Sequence, residues 1–178
     1  KIIDKKYMYE RDTMKVAGEM MVMSAKHQTD EMAIDVIGMK ALADRLRELK
    51  KHVIEINSSE KSVNVECDNL RAEMWRYVAQ KIQDKQCCYP EDDELRRQLT
   101  KVRYQVLNSN GLVRIEPKVN VKKRIGRSPD RADCFVYGIW ALQKAKPINL
   151  LALRHRKEAL LGKQRRRELT YTGRSRGY

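Results

Sequence analysis

One stretch limits what this chain can become. From Ala132 to Leu142 (ADCFVYGIWAL) nearly every residue is apolar. A helix that is apolar on almost all sides has to be enclosed by other elements over most of its surface. The residues just before it read as a helix start. Ser128 is a good N-cap. Pro129 suits the first helical position, where a missing N–H costs nothing. Asp130 falls in the first turn, where the helix dipole favours an acid. Asp133 is harder to place. It lies one turn further in, where the helix is becoming apolar, and a carboxylate there needs a partner. The partner is either a structural cation or a metal ion, and this stretch alone leaves both readings open.

The rest of the chain supplies the enclosing elements. A short strand is expected at 2–9, then a helix capped by Asp12 or Thr13 and running to about His27, with Met14, Ala17, Met20, Met21 and Met23 as its core face. Those methionines read as core filler. MAIDVIG (32–38) and HVIEIN (52–57) read as strands around an amphipathic helix from Ala41 to Lys51. After a polar loop at 58–65, Leu70, Met74, Tyr77, Val78 and Ile82 recur at helical spacing within 67–85, and a shorter helix follows at 91–99. VRYQVL and LVRIEP flank Asn108–Gly111, which predicts a β-hairpin. A basic loop then leads into the Asp133 helix. Strands alternating with helices and ending in a hairpin imply an α/β domain with a mixed sheet. The expected division is a domain over 1–146 and a basic tail over 147–178, partly helical or flexible.

Charge is unevenly placed. The net charge is +14, of which 118–131 carries +5 and 154–178 carries +7. Clustered cations of this kind attract nucleic acid through counterion release, while the bland alternative is a solvated basic face or tail. The four cysteines form no C-x-x-C pair, which fits a reducing compartment, and three scattered histidines argue against a structural zinc site. No stretch has the apolar length of a membrane span, no signal peptide is visible, and no G-x-x-x-x-G-K-[ST] P-loop is present.

Asp35 is the second notable acid. It lies in an otherwise apolar strand near its C-terminal end, where ligands of α/β sheets gather, although an edge position facing water would also accommodate it. Several strings then carry a resemblance: RDTMKVAGEM (11–20), AIDVIG with ADRLREL (33–49), NLRAEMW (69–75), DDELRRQLTKVRYQVLNSNGLVRIEPK (92–118) and GRSPDRADC (126–134). In order and content they resemble the C-terminal nuclease domain of the large subunit of tailed-phage terminases, which has an RNase H-like fold.

The resemblance implies an RNase H-like mixed sheet flanked by helices, with a hairpin before the final core helix. It implies a metal-dependent endonuclease that cuts concatemeric double-stranded DNA during packaging, using Mg²⁺ or Mn²⁺ in a two-metal site. Asp35 and Asp133 take the places of two catalytic, metal-binding acids, with Asp130 as an accessory acid or part of the cap. Lys118, Lys122, Lys123, Arg124, Arg127 and Arg131 would hold the DNA backbone, and such contacts position a duplex without reading its bases. By the same resemblance the partners are the small terminase subunit and the portal, no membrane is involved, and the place of action is the cytoplasm of the infected host bacterium.

The pattern also departs from that family. No counterpart of the first acid is found: Asp4 and Asp12 lie in unlike contexts, and Asp12 reads as a helix cap. The small glycine-rich turn after the second acid is Met39-Lys40-Ala41, and Cys134 follows the last acid in place of alanine. The chain is therefore expected to lack the first strand and an upstream ATPase domain. Two other readings follow: a catalytically incomplete DNA-binding or capsid-docking module, or another RNase H-like nuclease such as a resolvase or transposase.

Overall fold

A computed structural model describes residues 2–145 of the chain, apart from 30, 89, 90 and 108–110. The expected tail at 147–178 lies outside the described residues. Helix α1 (Thr13–His27) starts where Asp12 accepts from the backbone N–H of Met14 and Lys15, and stops at Gln28 in the left-handed conformation. Strand β1 (Glu31–Asp35), helix α2 (Lys40–Glu48) and strand β2 (His52–Ile56) form a β-α-β unit. The strands pair in parallel, with Glu31 opposite His52 and Asp35 opposite Ile56.

Alternation along β1 explains the layering. Successive side chains point to opposite faces of a strand. Met32 and Ile34 pack with Ala17, Leu42, Ala43 and Leu46 of α1 and α2. Ala33 and Ile54 pack on the opposite core, which holds Trp75, Phe135, Val136 and Tyr137. Asp35 shares the parity of Ala33, so it stands on the side of the apolar helix. That helix is α6 (Asp130–Ala141), and it packs against α3 (Leu70–Gln83), α4 (Asp93–Lys101) and β1. The enclosure required by residues 132–142 is thus met by two helices and a strand.

The hairpin strands β3 (Tyr104–Val106) and β4 (Val113–Ile115) pair antiparallel. A bridge between Cys67 and Val113 joins β4 to the loop before α3. The mixed α/β class holds, with helices flanking the strands, but among the described residues the parallel and antiparallel pairs are two separate two-stranded sheets and not the single mixed sheet expected.

Three expectations change. Residues 2–9 form no strand; charged side chains strap this segment to the helices instead, through Lys5–Asp92 at 2.7 Å, Lys26–Asp4 at 2.8 Å and His27–Asp4 at 2.7 Å. The basic loop is helix α5 (Lys118–Ile125), because Val121 and Ile125, one turn apart, are both buried. In α1 only Ala17 and Ser24 are buried, and Met14 is 55% exposed.

The start of α6 also differs in its capping. Pro129 occupies the N-cap position, so no side chain of the cap residue satisfies the first turn. The Ser128 hydroxyl donates to Asp130 Oδ1 at 2.6 Å instead. Gln98 of α4, 1% exposed, takes over the role: its Oε1 accepts from Arg131 N at 3.0 Å and Ala132 N at 3.2 Å. A cap supplied from another helix fixes the register of α6 against α4, and with it the height at which Asp133 enters the core.

Candidate active site

Helical spacing places Arg71, Met74, Trp75 and Val78 on one stripe of α3, and all four are buried. An arginine inside such a stripe has to meet an acid. It meets Asp133. Arg71 Nε and Nη2 donate to Asp133 Oδ1 at 3.3 and 3.2 Å, and Trp75 Nε1 donates to the same oxygen at 3.0 Å. The third nitrogen, Nη1, donates to the Glu116 carbonyl at 3.0 Å. Asp133 is 3% exposed, so this is a buried charge fixed by three donors on one oxygen.

The other oxygen is differently placed. Oδ2 meets Lys118 Nζ at 3.0 Å as an ion pair and no other polar group among the described residues. Burial works to lower the Lys118 pKa, but the Asp133 charge outweighs it and holds the ammonium above its ordinary value. Tyr137, one helical turn after Asp133, buries its hydroxyl beside Ser58. Burial first, and then the charge of Asp133, push its phenol pKa up.

Arg71 and Lys118 also line a cleft of about 440 Å³, together with Asp35, Ser58, Asn69 and Arg114. Asp35 ends β1 at the rim, where its Oδ1 accepts from Ile37 N at 3.1 Å. The two acids named from the sequence are therefore linked through one cleft: Asp35 borders it, and Asp133 lies behind the two cations that line it. Asp130 is exposed on the first turn and does not border the cleft.

The six basic residues divide. Lys118 pairs with Asp133, Arg124 pairs with buried Glu116 and donates to the Lys101 carbonyl at 2.6 Å, and Arg131 binds Asp92 at 3.1 Å with its guanidinium 3.8 Å from the centre of the Tyr7 ring. Arg127 stands 3.7 Å from Glu94 and is largely exposed. Lys122 and Lys123 project from α5 into solvent.

No family model matches the chain, and no curated protein sequence matches it. Solved structures do. The nuclease domain of the large terminase subunit of bacterial virus Sf6 superposes with a TM-score of 0.51 and 17% identity, over 74% of this chain and 72% of that one. A mutant of that domain, solved with manganese and beta-thujaplicinol, gives 0.51 and 17% over 75% and 73%. A mutant with calcium gives 0.50 and 18% over 67% and 69%.

The chain has the fold of a phage terminase nuclease domain. In this RNase H-like fold Asp35 closes a parallel strand at the cleft, and Asp133 on the first turn of α6 lies behind its two cations. Whether the terminase-type fold here carries a metal site is a question of donors. Among the described residues, no group of three or more His, Cys, Asp or Glu is arranged to hold an ion. Mg²⁺ commonly uses only one or two carboxylates, the remaining ligands being water and substrate phosphate. Asp133 Oδ2 is a buried carboxylate oxygen held by Lys118, and Asp35 lines the adjoining cleft. Two carboxylates are fewer than a two-ion site needs.

Sequence reasoning missed Arg71, Trp75, Glu116, Gln98 and Arg114. For Arg71 the signal was available, since a basic residue on an apolar stripe demands an acid. Gln98 gave none, because its partners are backbone groups distant in sequence.

Proposed function

We propose that this chain is a nuclease domain acting on the phosphodiester backbone of double-stranded DNA in phage genome packaging, with Asp35 and Asp133 as its working carboxylates. The observation that supports it most is Asp133: a buried acid with one oxygen saturated by donors and the other met only by Lys118, a cation that itself lines the cleft bordered by Asp35.

Asp35 and Asp133 are the residues that would hold Mg²⁺ or Mn²⁺. Such an ion would lower the pKa of a bound water and neutralise charge on the phosphate. The protein's own residues prepare the place. Arg71 and Trp75 hold Asp133 rigidly through Oδ1. Lys118 balances the charge on Oδ2 and has to yield that oxygen to another cation. Lys122, Lys123 and Arg127, exposed on or just beyond α5, supply backbone attraction without base contacts. The same reading carries the small terminase subunit and portal as partners, the infected bacterial cytoplasm as the place of action, and 147–178 as a basic extension to the nuclease domain.

A second reading, a DNA-holding module without catalysis, is favoured by the lack of a third acid at the cleft among the described residues. Nicking of supercoiled plasmid with Mn²⁺ or Mg²⁺ separates the two. The nuclease reading expects cleavage by the parent and none by Asp133→Asn or Asp35→Asn. Asp35 is partly exposed, so Asp35→Asn is the variant that tests the site should Asp133→Asn not fold. Salt-sensitive binding without cleavage at any metal concentration would leave only the module.

A further inference from the structure

Arg114 of β4 lines the same cleft but takes no part in the carboxylate arrangement. Its Nε donates to Asp68 Oδ2 at 2.7 Å. That oxygen is steadied by Asn69 Nδ2 at 3.2 Å. The backbone is fixed as well: Asp68 N donates to Val113 O at 2.9 Å, and Val113 N to Glu66 O at 2.8 Å. The guanidinium is therefore set in place from both ends. With Nε committed, the two terminal amino groups have no partner among the described residues, and the side chain is 43% exposed. Arg71, by contrast, spends all three nitrogens on Asp133 and Glu116.

A guanidinium braced at Nε presents its terminal N–H groups in a fixed plane, which matches the non-bridging oxygens of a phosphate. Ser59, exposed on the same cleft, offers a hydroxyl donor. We propose that Arg114, with Ser59, is a docking point for a backbone phosphate of duplex DNA, distinct from the phosphate presented to Asp35 and Asp133. Because Asp68 offsets its charge, Arg114 contributes the register of the strand in the cleft more than bulk attraction. This inference rests on reading the cleft as a DNA site.

The test is duplex binding by the full chain at low salt with Ca²⁺, comparing the parent with Arg114→Gln, Arg114→Lys and the double variant Lys122→Gln/Lys123→Gln. Melting midpoints check each fold, and Arg114→Lys serves if Arg114→Gln does not fold. Arg114→Gln is expected to bind about tenfold more weakly, the scale of a lost hydrogen bond to a charged group. Arg114→Lys, which keeps the charge and loses the planar fork, is expected not to restore it. The lysine pair is expected instead to flatten the salt dependence by about one to two in log–log slope. Arg114→Gln within twofold of the parent, or full rescue by lysine, would overturn the assignment. Plasmid nicking tells this failure from that of the wider reading. A parent that nicks, beside an Arg114→Gln variant that binds normally, removes only the Arg114 docking point. A parent that neither binds nor nicks removes both.

Discussion

Replacing Gln98 with methionine removes the cap of α6 while keeping nearly the same volume. Two backbone N–H groups then lose their acceptor: Arg131 N, now 3.0 Å from Oε1, and Ala132 N, now 3.2 Å. Ala132 is fully buried, so water cannot replace the bond there. A buried donor left unsatisfied costs about 1–3 kcal/mol, and a lost N-cap typically about 1 kcal/mol. Arg131 is partly exposed and recovers some of its loss, which brings the total to about 2–4 kcal/mol. With a urea slope of about 2 kcal/mol/M, the unfolding midpoint should fall by about 1–2 M at unchanged slope. Hydrogen exchange at the Arg131 and Ala132 amides should accelerate with it. A midpoint shift below about 0.3 M, with those amides still protected, would refute the reasoning that α6 is capped from α4.

Further outcomes follow from the same physics. Arg71→Ala leaves Asp133 buried with Lys118 as its one remaining ionic partner; breaking a buried pair costs about 3–5 kcal/mol, measurable by denaturant titration. Gly126 caps α5 at φ 81°, with no atom near a built Cβ; Gly126→Ala should therefore cost about 1–2 kcal/mol from backbone strain alone, and a smaller thermal shift than that implies would mean the turn relaxes. Asp92 is held well below the usual carboxylate range, first by Lys5, then by the Leu95 N–H and Tyr7. A depressed folded pKa gives stability that is complete above the unfolded value of about 3.9 and lost as pH falls below it. Asp92→Asn should thus be less stable at neutral pH and lose less stability between about pH 4 and 2, as read by acid titration of circular dichroism.

Much of the architecture was legible in the sequence because periodicity reports burial directly. The β1-α2-β2 unit, α3 and the hairpin fall where alternation, helical spacing and the Asn108–Gly111 turn put them, with ends shifted by a few residues. The strap at 2–12 was not legible, since its hydrophobic letters are interleaved with charges that pair one by one with α1 and α4. Helix α5 was hidden by its four cations, although Pro117 before it and Gly126 after it are ordinary helix boundaries. At the cleft, both acids could be named from apolar context. Their surroundings could not: the Arg71, Trp75 and Lys118 contacts span 15 to 62 positions of sequence, and no local pattern encodes which cation meets which acid. The same holds for the trans cap, where a good local candidate, Ser128, lost to a distant glutamine.

The most direct measurement is calorimetric titration of Mn²⁺ into the full chain and into Asp133→Asn, with Asp35→Asn as the variant that leaves the core intact. Two carboxylates, one of them with an oxygen held only by Lys118, predict a single ion per chain, weakened strongly in both variants. Two ions per chain would contradict the donor count, and equal binding by parent and both variants would contradict the site.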